Sequence, residues 1–182
     1  MSGRSYMVAA RIPMTRAGFE DWLDTPVPGT GAIADAETVW PRWTPLPGTP
    51  RARLTARAAQ GWTLARHVGG VLELYLYDYH ADAGTTQAEL LLLAAAGRRA
   101  TAETAAMYWG GNGYPDLPFG GDEPIAVLLT GPDGARFTDR YRRPALLAHL
   151  RPAETAFLAA IGPHGETWHA DGLIDAALHP AG

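Results

Sequence analysis

Cysteine and lysine are both missing from this chain of 182 residues, asparagine occurs once, at Asn112, and serine only at Ser2 and Ser5. Without cysteine there are no disulfides, thiolate metal ligands or cysteine nucleophiles. Without lysine there is no Walker-type phosphate lysine, no Schiff base and no pyridoxal-phosphate anchor. All fifteen basic residues are arginine. Neither serine lies in a Gly-x-Ser-x-Gly elbow, which excludes the usual serine-hydrolase arrangement. Long apolar runs are missing too. The longest, Leu90 to Ala96, is far below the roughly 20 residues of a membrane-spanning helix. Ser5 to Ile12 is short, is interrupted by Arg11 and has no cationic region before an apolar core, so it reads as a poor signal peptide and favours a cytoplasmic chain. Lysine absent beside abundant alanine, glycine, proline and arginine fits GC-rich, bacterial-type coding without selection on lysine itself.

What is present suits one domain. The chain is 47% hydrophobic and 19% charged, with 19 acids against 15 bases and a net charge of −4. That length can bury one sizeable core. The expected fold is a single α+β domain over 1–182, mainly an antiparallel sheet packed against three to five helices. Its sheet would hold an N-terminal strand and two hairpins.

Ser5 to Ile12 alternates as a strand, with Tyr6, Val8, Ala10 and Ile12 on one face. Thr15 is placed to cap a short helix carrying Phe19, Trp22 and Leu23. Gly61 to Val68 and Val71 to Tyr79 flank Gly69-Gly70 as a hairpin. Its register would oppose Arg66 to Glu73, Leu64 to Tyr75 and Trp62 to Tyr77, with Leu72, Leu74 and Leu76 on the core face. The aromatic face, with Trp62, Tyr75, Tyr77 and Tyr79, needs a cover. Ile125 to Thr130 and Ala135 to Tyr141 read as a second hairpin.

Thr86-Gln87-Ala88-Glu89 has the spacing of a capping box before a helix that Arg98 to Met107 can extend to a stop at Gly110-Gly111. Pro144 and Pro152 suit the first turns of two short helices, and Leu173 to Leu178 suits another. Residues 25–50 and 110–124 are irregular and rich in glycine and proline, with room for a short strand at Glu37 to Trp40.

Charge is distributed unevenly. Residues 1–70 hold eight arginines and five acids, 71–135 hold two arginines and nine acids, and the remainder balances. Between Glu37 and Glu73 lie arginines 42, 51, 53, 57 and 66 and no acid. Such a split either builds two oppositely charged surfaces or is neutralised within the fold.

Three functional readings follow. The leading one is a binding protein that meets another protein through Trp40, Arg42, Trp43, Glu73, Asp78, Tyr79 and Asp82. Rigid rings and arginine dominate interface energetics, and an acidic surface would suit an immunity or antitoxin role against a basic toxin centre. The plain alternative for Trp40 and Trp43 is that both fold inward and staple their loop. A second reading is a zinc or iron enzyme built from His80, Asp82, His164, Glu166, His169 and Asp171, whose imidazoles and carboxylates suit such metals. Ordinary polar loops explain the same residues. The third is a small-molecule pocket beside Tyr75, Tyr77 and Trp109. The acidic total argues against nucleic acid.

Overall fold

Alternation along the first strand divides the molecule into two cores. The computed structural model describes residues 5–78, 82–111, 124–161 and 168–179. In β1 (Ser5–Pro13), Val8, Ala10 and Ile12 join one apolar cluster, while Met7 and Ala9 join the other. This strand is central. It pairs antiparallel with β3 (Val71–Asp78) on one side and β4 (Thr104–Gly111) on the other. β2 (Thr63–Val68), β5 (Ala126–Gly131) and β6 (Gly134–Thr138) complete a six-stranded antiparallel sheet of order β2-β3-β1-β4-β5-β6.

One sheet face lies under α1 (Arg16–Asp24), α3 (Pro50–Gln60), α4 (Ala83–Ala88) and α5 (Leu90–Gly97). α5 is LLLLAAAG, apolar all round and wholly buried, as such a helix must be. Its last residue is glycine for a steric reason. A Cβ on Gly97 would come 1.9 Å from Thr130 Oγ1 and 2.8 Å from the Gly131 nitrogen. α5 is thereby seated directly on β5, with the Thr130 hydroxyl donating to the Leu93 carbonyl. The opposite face lies under α6 (Arg143–Ile161), whose Leu146, Leu150, Ala153 and Phe157 follow helical spacing onto Met7, Tyr75, Tyr77 and Met107. α6 is therefore the cover that the aromatic hairpin face requires, and Phe157 stacks on Tyr75 at 4.2 Å.

The first hairpin has the expected register, Val68 to Val71, Arg66 to Glu73 and Leu64 to Tyr75. Its turn glycines have φ of +57° and +77°, the left-handed pair that a two-residue turn demands. Thr15 caps α1 through the Gly18 amide. The second hairpin closes through Pro132-Asp133 between paired Gly131 and Gly134.

Several expectations are overturned. Residues 104–111 form a strand rather than the end of a helix. Alanines 105 and 106 have good helix propensity, but pairing on both sides and alternation of Ala106 and Tyr108 against Met107 and Trp109 outweigh it. Gly110 and Gly111 consequently belong to β4 and stop no helix. Glu37 lies in a one-turn helix, α2 (Ala36–Val39), instead of an edge strand. The box at Thr86 to Glu89 does not form. α4 starts at Ala83 with Asp82 as its cap, and the Glu89 carboxylate turns inward to arginines. Pro144 and Pro152 share one helix, with Pro152 on its exposed side, where water can serve the carbonyl it leaves unpaired. Of Leu173 to Leu178, only Ala176–Leu178 makes a helical turn. Among the described residues no helix is long and apolar enough to cross a membrane.

Candidate functional site

The proline-rich segment after α2 is pinned by its own aromatic rings. Trp40 packs edge-on against Phe137 at 4.9 Å, Trp43 at 5.6 Å and Tyr108 at 6.0 Å. The Trp43 indole N–H donates to the Ala36 and Trp40 carbonyls at 3.2 and 3.1 Å. Both tryptophans are half-buried, so they act as the staple. Further ties come from Gln87 Nε2, which donates to the Arg42 carbonyl at 3.3 Å, and from the Val27 amide, which donates to the Gly48 carbonyl. Thr49 then caps α3 with Pro50 in its first turn.

A rigid ridge results, on which Pro41, Arg42, Thr44, Pro45 and Pro47 are exposed. Arg42 makes no ion pair among the described residues. Between this ridge and residues 27–30 lies an open, mainly apolar groove of about 320 Å³, walled by Val27, Pro28, Trp43, Pro45 and Pro47 with Leu91 at its base. Asp82 borders the same region. It is exposed and accepts from the Gly84 amide at 3.1 Å, and Gly84 lies against Thr44.

The other two acidic residues expected at a partner interface, Asp78 and Glu73, are engaged within the fold. Asp78 accepts from Arg57 Nη1 and from the Thr86 hydroxyl, both at 2.8 Å. Arg57 and Arg53 converge on Oε1 of Glu89 at 3.0 and 2.7 Å. Glu89 is wholly buried, and that burial pushes its pKa up against the pull of the two guanidiniums. Glu73, only 4% exposed, lies between Arg11 and Arg66 at 2.9 Å from each. Three of the five arginines in the acid-free stretch, Arg53, Arg57 and Arg66, are thus matched within the fold to the acidic middle of the chain, while Arg51 pairs with Asp24. Burial also raises the Tyr108 phenol, helped by Tyr6, Asp82 and Asp78; its hydroxyl donates to the Ala83 carbonyl.

Of the seven residues expected to contact a partner, Trp40, Arg42, Trp43 and Asp82 come together around the ridge. Asp78 lies beneath α4, Glu73 sits elsewhere under Arg11 and Arg66, and Tyr79 lies outside the described residues. Of the expected metal ligands, His80, His164 and Glu166 also lie outside them. His169 and Asp171 are exposed on the segment after α6. Among the described residues no three histidine, aspartate or glutamate side chains are grouped to hold a metal.

Sequence reading passed over a second cavity. It holds about 230 Å³ and is lined by Thr104, Tyr141, Arg142, Ala145, Leu146 and His149. The available signal was RFTDRYRR, residues 136–143, with four arginines among eight positions. The architecture defines the class, a single α+β domain with one six-stranded antiparallel sheet covered on both faces. No protein-family model, curated protein or solved structure matches the chain.

Proposed function

We propose that this protein acts by binding another protein through the ridge at Trp40 to Pro47 and the groove beside it. One observation carries this reading: a proline-rich loop is held rigid from within while its outer side presents prolines, an arginine without an ion pair among the described residues and an apolar slot. A preordered surface loses little conformational entropy on association, and a slot of this kind suits an apolar side chain as a central anchor. Arg42 and Asp82 would add charge selectivity at its margin.

Its particular form is an immunity or antitoxin-like protein of a bacterial cytoplasm, neutralising a toxin. In that form the acidic contacts cannot be Glu73 or Asp78, which are engaged internally, and fall instead to Asp82 and Glu37.

The test is purification from the native host with a tag, beside a variant carrying Arg42→Glu and Pro45→Glu, both at exposed positions. A stoichiometric protein should accompany the parent chain and be lost from the variant at unchanged melting temperature. Equal retention by the variant defeats the ridge as the site. A lone monomer that turns over a compound in a substrate screen defeats the binding reading altogether.

A further inference from the structure

We infer that the cleft between the β6–α6 connection and the first turns of α6 binds an acidic peptide segment of a protein partner. It lies on the sheet face opposite the ridge and is a separate surface.

Its cationic character comes from arginines without counterions among the described residues. Arg136, at the start of the basic run, is neutralised by Glu103 at 2.8 and 3.3 Å. Arg140 and Arg142 are exposed and make no ion pair among the described residues, and Arg142 lines the cleft. Asp139 is exposed on the same connection, so the two guanidiniums exceed the local carboxylate by one charge. The first turn of α6 holds no acidic side chain, so its positive end reinforces the field.

The floor is polar, ordered and internally satisfied. His149 Nε2 lies 2.9 Å from the Arg11 carbonyl oxygen and 2.9 Å from Thr104 Oγ1. A carbonyl only accepts, so this nitrogen carries the hydrogen. The Thr104 hydroxyl donates to the same carbonyl at 3.2 Å, and Arg11 Nη1 donates back to the His149 carbonyl. Ala105, Ala145 and Leu146 supply apolar walls.

A glutamate side chain matches this combination. Its methylenes meet the alanine and leucine walls while its carboxylate reaches a guanidinium fork, the geometry in which arginine binds carboxylates best. The cleft admits one or two side chains, so an extended segment fits better than a helix face. Nucleic acid fits worse, because the chain is net negative and a single arginine in a small apolar-walled cleft makes no continuous phosphate track.

The experiment is an amide NMR titration of the full chain with a blocked peptide of alternating glutamate and leucine. A lysine–leucine counterpart and an oligothymidylate serve as the other arms. Shifts should cluster at residues 104–105 and 141–149, diminish with salt, and weaken about tenfold or more in Arg142→Glu. Absence of shifts there at millimolar peptide overturns the proposal. So does an equal response to the lysine peptide or the oligonucleotide, or undiminished binding by Arg142→Glu. Failure here leaves the ridge reading untouched, since Arg42 and Pro45 lie on the other face.

Discussion

The two edges of the sheet are closed by the same device, built to different strengths. At β2, residues 173–175 run alongside: Ala65 donates to the Leu173 carbonyl, Asp175 donates back to the Ala65 carbonyl, and the His67 amide donates to Asp175 Oδ2. At β6, residues 33–35 do the equivalent: Ala34 donates to the Ala135 carbonyl and the Phe137 amide donates to Asp35 Oδ1. Each edge thus meets a short parallel bridge and an aspartate that accepts from an edge amide. The difference lies in the aspartates. Asp175 also takes two bonds from Arg16 at 2.8 and 2.9 Å and one from the Ala177 amide, whereas Asp35 pairs with no cation among the described residues. An open edge invites pairing with another chain, and covering it is how a soluble sheet avoids that. With both edges covered, adding a strand is a poor route for a partner, in keeping with the proposed use of the ridge and the cleft instead.

Asp175→Ala should therefore have the largest effect. It removes an acceptor that is 8% exposed and serves four hydrogen bonds, and leaves the His67 amide without its partner. A loss of about 3 kcal/mol is expected by urea unfolding. Amide exchange at Ala65 and His67 should accelerate well beyond the global change. If those amides stay as protected as their neighbours, the lock is not where it is placed here.

Acid should reproduce part of that loss. Burial works to raise the Asp175 pKa, but hydrogen bonds from Arg16, Ala177 and His67, with the Arg16 charge, outweigh it and hold the carboxyl below its ordinary 3.8. A carboxyl depressed on folding contributes in full above the unfolded value and loses that contribution as pH falls through the folded one. The stability gap between the parent chain and Asp175→Ala should therefore be flat above about pH 3.8 and narrow below it. A gap that stays constant to lower pH contradicts the linkage.

Asp35→Ala should be milder. One backbone acceptor goes, from a half-buried position, and the cost should be about 1 kcal/mol with faster exchange centred on the Phe137 amide. A loss equal to that of Asp175→Ala would show that charge adds nothing to the β2 edge.

Little of this edge closure could be read from the sequence, and the reason is physical. Local periodicity identified β1, the Gly69-Gly70 hairpin, the second hairpin and the Thr15 cap, because each depends on neighbours within a few residues. It could not reveal that Arg16 meets Asp175 or that Asp35 meets Phe137, contacts separated by 159 and 102 positions. The same limit explains β4, where alanine-rich propensity was local and the deciding strand partners were remote. For the candidate site, Trp40, Arg42, Trp43 and Asp82 were singled out by residue type alone. Their setting was not, since the pins come from Phe137, Tyr108 and Gln87. Glu73 was correctly paired with Arg66 by hairpin register, yet Arg11 on β1 was needed to show that its carboxylate is fully engaged.

The smallest expected effect separates charge from geometry at the stronger edge. Arg16→Lys keeps a cation next to Asp175 but removes the planar fork that now reaches both carboxylate oxygens. The guanidinium is also held by Glu20, one turn along α1, at 2.8 Å, and lies 5.0 Å from the Phe19 ring. An ammonium cannot satisfy both carboxylates in the same arrangement, but its side chain is 45% exposed, so water compensates for much of the loss. A cost of about 0.5 kcal/mol is expected, with exchange at His67 nearly unchanged, because the aspartate itself still accepts that amide. If Arg16→Lys instead approaches Asp175→Ala in its effect on the β2 edge, the two-pronged guanidinium is what holds the strap in place, and the backbone bonds of residues 173–175 depend on it.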